Sequence, residues 1–146
     1  MRIAVAADHA GFAFKRRLVD ELQGLGHEVV DFGTNSSQSC DYPDHGIPAA
    51  RSVAQGQNHR AILVCNNGIG MSMVANKIPG VRGAMVYSEK TAAATRGHHD
   101  SNVLCLGAQQ FSEEDLLRFV QVWLDTEFEG GRHARRVKKI DEMDGS

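Results

Sequence analysis

Strand-like and helix-like segments alternate five times along this chain. That alternation predicts a doubly wound α/β fold: a Rossmann-like, five-stranded parallel sheet with helices on both faces and a C-terminal helix. Three observations carry the prediction. The strand candidates are short continuous apolar runs, the pattern of strands covered on both faces. Between them, apolar residues recur at helical spacing. Gly, Pro, Asn and Ser fall at the junctions.

RIAVAA, residues 2–7, is the first strand. Phe14, Leu18, Leu22 and Leu25 then repeat at helical spacing, and Gly24 and Gly26 supply a stop. HEVVDFG, 27–33, is the second strand, and TNSSQSCDYPD, 34–44, reads as a loop from its Ser, Asn and Pro content. Residues 45–56 follow as a helix that must hold Pro48 in its first turn or be kinked by it. RAILVC, 60–65, is the third strand, and CNNGIG, 65–70, a glycine turn opening a short helix that ends near Pro79. VRGAMVYS, 81–88, is the fourth strand, EKTAAATRG, 89–97, its helix, and NVLCLG, 102–107, the fifth strand. Ser112 with Asp115 resembles a capping box opening EEDLLRFVQVWLDTEF. EGGRHARRVKKIDEM predicts the closing helix.

At 146 residues the chain is expected to form one domain, 1–146, with a substantial core. A hydrophobic content of 42% with 23% charged residues is that of a soluble globular protein. The formal charge of −2 gives no field that would draw the chain to nucleic acid or a membrane surface. Its apolar runs fall far short of the roughly 18–20 residues that span a bilayer. Asp8 and His9 arrive too early for a signal-peptide apolar region, so a cytoplasmic protein is expected. The three cysteines, Cys40, Cys65 and Cys105, are odd in number and form no CxxC pair. That argues against a disulfide framework or a structural zinc site. Cys105, inside a strand, reads as a core residue, and Cys40 as incidental.

In open α/β sheets, ligands sit beyond the carboxyl ends of the strands. Asp8-His9, Cys65-Asn66-Asn67-Gly68 and Ser88-Glu89 all fall at such ends. His98-His99-Asp100 precedes the fifth strand. It reaches that edge only if its loop folds back, or it serves a neighbouring subunit. The glycine turn has neither GxGxxG nor GxxxxGK[ST] spacing, which weakens dinucleotide and P-loop readings. A turn of small residues opening a helix nevertheless exposes N–H groups that hold an oxyanion and lower the pKa of a nearby thiol. Cys65 thus reads either as a reactive thiol or as a buried strand-end residue, and the pattern leaves both open. His9, His98 and His133 each neighbour polar residues, with surface or structural roles as the alternative. A metal site assembled from Asp8, His9, Asp44, His45, His98 and Asp100 lacks any i, i+4 ligand pair, and none is expected. Arg132 and Arg136 share one helical face and suit a phosphate, although a charge run also reads as a solvated face.

Five segments together carry a specific resemblance: AADHAGF at 6–12, DYPD at 41–44, C-x-x-G-x-G-x-S-x-x-A-N-K at 65–77, H-x-D-x-N at 98–102 and EGGRH at 129–133. Over nearly its whole length the chain resembles the ribose/galactose isomerase family. The resemblance implies an aldose–ketose isomerase working through a cis-enediolate without metal or cofactor. It implies a homodimer, or a dimer of dimers, with sites at the interface. The substrate expected first is ribose 5-phosphate, converted to ribulose 5-phosphate, with another four- to six-carbon sugar phosphate as the alternative. Cys65 then corresponds to the base that moves the proton between C1 and C2. Met71 stands where other members carry a glutamate base, which places the chain in the cysteine-base subtype. His98 corresponds to the ring-opening histidine. Asp8, His9 and Tyr42 correspond to substrate-binding positions, and Asn66, Asn67, Gly68, Ile69 and Gly70 to the loop that holds the enediolate oxygens. Arg132 and Arg136 correspond to phosphate ligands, and His133 lies between them at the substrate.

Three further site positions depart from the family pattern. Asn67 replaces a Thr or Ser, and its amide is expected to donate in place of the hydroxyl. His99 replaces Asn, and Gln109 replaces a phosphate-binding Arg. These departures support a second expectation: a non-catalytic or heteromer-dependent sugar-phosphate-binding subunit of the same family.

Overall fold

The computed structural model describes residues 1–145. Its elements are β1 (Arg2–Ala7), α1 (Phe12–Gly24), β2 (Glu28–Asp31), α2 (Tyr42–Ala54), β3 (Arg60–Cys65), α3 (Ile69–Asn76), β4 (Gly83–Met85), α4 (Glu89–Gly97), β5 (Val103–Gly107), α5 (Glu113–Asp125) and α6 (Arg132–Asp141). The strands form one parallel sheet in the order β2-β1-β3-β5-β4. The strand order reverses between β1 and β3, so a crevice opens beyond their carboxyl ends.

The central strands explain the continuous apolar runs. Alternate residues face opposite ways. Ile3, Val5, Ala7, Ile62, Val64, Leu104 and Leu106 pack with Leu18 and Leu22 of α1 and with Leu116, Phe119 and Trp123 of α5. Ala4, Ala6, Ala61, Leu63, Cys65 and Cys105 pack with Ala49 and Ala50 of α2 and Met71 and Ala75 of α3. The second face is lined by small side chains, which lets α2 and α3 lie close. A β-carbon at Gly46 would sit 2.6 Å from the Met71 sulfur. Cys65 therefore points towards the α2–α3 side, away from the larger hydrophobes.

Three segments differ from the sequence expectation; β2 keeps only Glu28–Asp31 of the expected 27–33. α2 starts at Tyr42 rather than 45, because Pro43 is tolerated in the first turn, where its missing N–H has no partner to lose. Pro48 then lies inside the helix, not in its first turn. β4 keeps only three residues of the expected run. Before it, the Arg82 N–H donates to Asn102 Oδ1 at 2.8 Å, and Asn102 Nδ2 donates to the Gly80 carbonyl at 3.0 Å, so side chains replace the ladder. After it, the N–H groups of Tyr87 and Ser88 turn to Thr91 Oγ1.

Trp123 closes the larger core. It is fully buried, its Nε1–H donates to Ser101 Oγ at 2.9 Å, and the Arg60 guanidinium stands 5.0 Å over its ring. Trp123→Ala is expected to lower unfolding stability by about 3–5 kcal/mol. Met143→Ala, at an 84% exposed position, should stay within about 0.5 kcal/mol. Urea unfolding followed by circular dichroism measures both.

Candidate active site

The sheet sorts the candidate residues into two groups. Asp8, His9, Tyr42, Cys65, the turn 66–70 and Gln109 gather at the carboxyl edge. His98, His99, Arg132, His133 and Arg136 gather at the amino edge. The loop carrying His98 does not fold back. Asp100 N–H returns to the Arg96 carbonyl, and Ser101 N–H to that of Thr95, so the chain enters β5 directly from α4. β5 itself is five residues long, a separation of roughly 16 Å at the usual strand rise. Within one chain, Cys65 and His98 do not meet.

At the carboxyl edge, Cys65 ends β3 and is 4% exposed. The turn after it lies directly on β5. Cys65 pairs with Gly107, the Cys65 carbonyl accepts from Ala108 N–H at 2.9 Å, and the Asn66 carbonyl accepts from Gln109 N–H at 3.0 Å. A β-carbon at Gly107 would stand 2.7 Å from the Asn67 backbone. Gly68 adopts φ +82, which reverses the chain into α3 at a conformation that L side chains rarely take. Among the first donors of α3, Ile69 N–H goes to Asn67 Oδ1 at 3.0 Å and Ser72 N–H to the Gly68 carbonyl at 3.1 Å. The amides of Gly70 and Met71 remain at the helix N-terminus, directed outward at a point that favours negative charge. With its oxygen engaged, Asn67 has its NH₂ left to donate. Asn67 and Ile69 line a hollow of about 170 Å³ with Met85 and Tyr87.

The other carboxyl-edge residues close round this turn. The Tyr42 ring covers Gly70, where a β-carbon would lie 2.6 Å from Tyr42 Cζ. Asp8 is buried, and its Oδ1 accepts from the N–H groups of Ala10 at 2.9 Å and Gly11 at 3.2 Å, which leaves Oδ2 for a ligand. His9 is exposed and accepts from Cys40 N–H at 3.1 Å through Nδ1, so Nε2 faces outward. Gln109 Nε2 donates to the Ala10 carbonyl at 3.2 Å and ties the β5 loop to the β1 loop. Cys105 sits fully buried in the same cluster, and burial, with Cys65 beside it, pushes its thiol well up from the ordinary range.

At the amino edge, His98 and His133 stack with ring centroids 4.4 Å apart and 7° between planes. His99 meets His98 edge-on at 6.1 Å and lines a cleft of about 490 Å³ with Arg82, Thr95, Ser101 and Asp141. Arg96 is buried and donates to Asp100 Oδ1 at 2.9 Å and to the Ser101 carbonyl. Arg82 donates to the Asp100 carbonyl at 3.0 Å and to Asp141 of α6 at 3.1 Å. These arginines lock the histidine loop and α6 together. Arg132 and Arg136 stand exposed on α6, while His133 and Val137 form its buried face. Burial first, then Arg132 and His98, lower the His133 pKa, and Glu129 opposes them. Sequence reasoning missed Gly107 and Glu129. The first reads as an ordinary strand stop, and the second was visible only as a letter of the EGGRH segment.

A thiol at a strand end, followed by a glycine turn that opens a helix at the crevice of a parallel sheet, is the layout of a small-molecule enzyme of the doubly wound class. The chain belongs to the Ribose/Galactose Isomerase family, whose model matches residues 3–140. It is 40% identical over 139 residues to ribose-5-phosphate isomerase B of Escherichia coli K12, covering 95% of this chain and 93% of that protein. Its fold superposes on ribose-5-phosphate isomerase B of Clostridium thermocellum with a TM-score of 0.97, at 43% identity and 99% and 98% coverage of the two chains. The Mycoplasma genitalium ribose-5-phosphate isomerase B with bound ribulose-5-phosphate gives 0.96, at 38% identity, covering 99% and 97%. Among the described residues, no helix is long and apolar enough to cross a membrane.

The turn's dependence on Gly107 is testable. Gly107→Ala must displace backbone, so a loss of about 1–3 kcal/mol is expected, with the Cys65 turn moved. Gly24→Ala, with nothing within 4 Å of the added carbon, should be neutral or stabilising by up to about 1 kcal/mol. Urea unfolding of the two variants gives the comparison.

Proposed function

We propose that this chain is an aldose–ketose isomerase that interconverts ribose 5-phosphate and ribulose 5-phosphate, with Cys65 as the base. The observation that carries this reading is the placement of Cys65 at the end of β3, directly before the glycine turn that opens α3. Isomerisation moves one proton between C1 and C2, and negative charge develops on the two neighbouring oxygens. A thiolate at Cys65 takes the proton, and the Gly70 and Met71 amides with Asn67 Nδ2 hold the enediolate. Preorganised donors of this kind are worth about 10²–10³ in rate each. Asp8, His9 and Tyr42 hold sugar hydroxyls, and Gln109 stands beside them. Arg132, Arg136 and His133 take the phosphate, and His98 opens the furanose ring, with His99 alongside.

Because the two groups lie on opposite sheet edges, we propose that each site joins the carboxyl edge of one copy to the amino edge of another. Exposed Ile69, Met73, Met85 and Tyr87, grouped near the turn and the β4 edge, support a partner there. The remaining NH₂ of Asn67 favours an active chain over a catalytically silent subunit.

Cys65→Ala is expected to abolish turnover of ribose 5-phosphate and deuterium uptake at C2 in D₂O, with sugar-phosphate binding retained. Near-normal turnover would remove Cys65 as the base. The shared site is tested by complementation. Cys65→Ala, without its base, and His98→Ala, left with only slow turnover of ribose 5-phosphate, are co-refolded in equal amounts. With random pairing, about a quarter of wild-type activity should return, since half the dimers carry one intact site of two. No recovery, with mixed dimers demonstrated, would mean that each chain completes its own site. Arg136→Ala should raise KM about 10–100-fold through loss of a charge-assisted contact. An unchanged KM would place the phosphate elsewhere.

A further inference from the structure

Glu129 lies beside the edges of the two stacked histidines of the amino edge. Its Oε2 is 3.4 Å from His98 Nε2, and its Oε1 is 3.8 Å from His133 Nε2. The Glu129 N–H donates to the Gly97 carbonyl at 3.0 Å, which pins the residue beside the end of α4. Gly97 makes room for the carboxylate, since a β-carbon there would lie 2.8 Å from Glu129 Oε2. His133 is buried, and its Nε2 has no hydrogen-bond partner among the described residues. The His98 side chain is 44% exposed, so of the two rings it is the one open to a ligand.

Two uses fit a pair of imidazoles and a carboxylate: a metal ion or a proton. The geometry excludes the first as it stands. A metal bound to an imidazole nitrogen lies in the plane of that ring. The planes of His98 and His133 are 7° from parallel, so they share no point near the two nitrogens. Arg132 also places positive charge beside His133. A carboxylate beside a histidine, in contrast, fixes the orientation of the ring and stabilises its protonated form.

We infer that Glu129 is the positioning residue for His98 in ring opening, with His133 as the buried plate against which the His98 ring is stacked. The inference rests on the isomerase reading above. In ring opening, the anomeric O1–H bond breaks and C1=O forms. The C1–O4 bond breaks, and O4 gains a proton. One proton leaves and one arrives, and His98 carries charge only in transit. The Glu129 carboxylate offsets that charge. Glu129 stands nearer to His98 Nε2, at 3.4 Å, than to His133 Nε2, at 3.8 Å, and Arg132 disfavours added charge on His133, so the carboxylate serves His98.

The test separates ring opening from proton transfer at carbon. Ribose 5-phosphate closes to a furanose through O4. Ribulose 5-phosphate has its 5-hydroxyl esterified and stays open-chain, so exchange of its C1 proton with D₂O needs Cys65 and no ring opening. Glu129→Gln is expected to lower kcat on ribose 5-phosphate roughly 10–100-fold, within the range of acid–base effects, with KM and ketose C1 exchange near wild type. Gly97→Ala, which displaces the carboxylate without touching it chemically, should give the same split, and so should His98→Ala. Adding Glu129→Gln to His98→Ala should cost nothing more. Equal loss in both assays would reduce Glu129 to a structural role and overturn the inference. No loss in either assay, or a split that disappears with EDTA, would overturn it too, the last in favour of a metal. If the wild-type chain neither isomerises ribose 5-phosphate nor exchanges the ketose proton, the isomerase reading itself fails.

Discussion

The register of β3 against β5 is the constraint on which the chemistry of this chain depends. It sets Cys65 opposite Gly107 and lays the turn that follows Cys65 directly over a residue with no side chain. Two backbone hydrogen bonds, from Ala108 to Cys65 and from Gln109 to Asn66, then hold that turn to the next loop. The helix that opens from it leaves N-terminal amides without intrahelical partners four residues on in the chain. A shift of register by one residue would turn Cys65 onto the opposite face, among the Leu and Phe side chains of α1 and α5.

The parallel sheet imposes a second consequence. Every strand ends at the same edge, so a residue on a strand-to-helix loop and a residue on a helix-to-strand loop are separated by the depth of the sheet. Bringing such residues together requires a long returning loop or another molecule. Here the loop between α4 and β5 is short and locked by Arg96 and Arg82. Arg82 also reaches α6 through Asp141, so histidines and basic residues form one rigid block. A second copy is thus the economical way to join base and ring-opening group. It would also cover the apolar side chains near the β4 edge.

The two edges also divide the electrostatic work. The carboxyl edge supplies neutral donors and a helix N-terminus, which suit charge that develops and then decays. The amino edge supplies fixed cations in Arg132 and Arg136, which suit the permanent charge of a phosphate. The buried His133 ring backs His98, and the nearer carboxylate oxygen of Glu129 stands on the exposed one.

By itself the sequence determined the class of fold, because apolar runs and helical periodicity are local consequences of burial on two faces of a sheet. It also marked Cys65, Asp8 and His9 as residues at strand ends, and placed His98 at the wrong edge to reach them. Element boundaries yielded less. α2 began early because Pro43 suits a first helical turn, and β4 shortened because Asn102, twenty positions away from Arg82, takes over the backbone partners. The roles of Gly107 and Glu129 were not legible at all. A glycine after a strand reads as a stop, and its contact with Asn67 exists only once two strands lie side by side. Glu129 acquires its meaning from Gly97 and His98, more than thirty positions earlier. Their closeness is set by how α4 and the segment before α6 meet beside the sheet, and packing at that range leaves no mark in local composition.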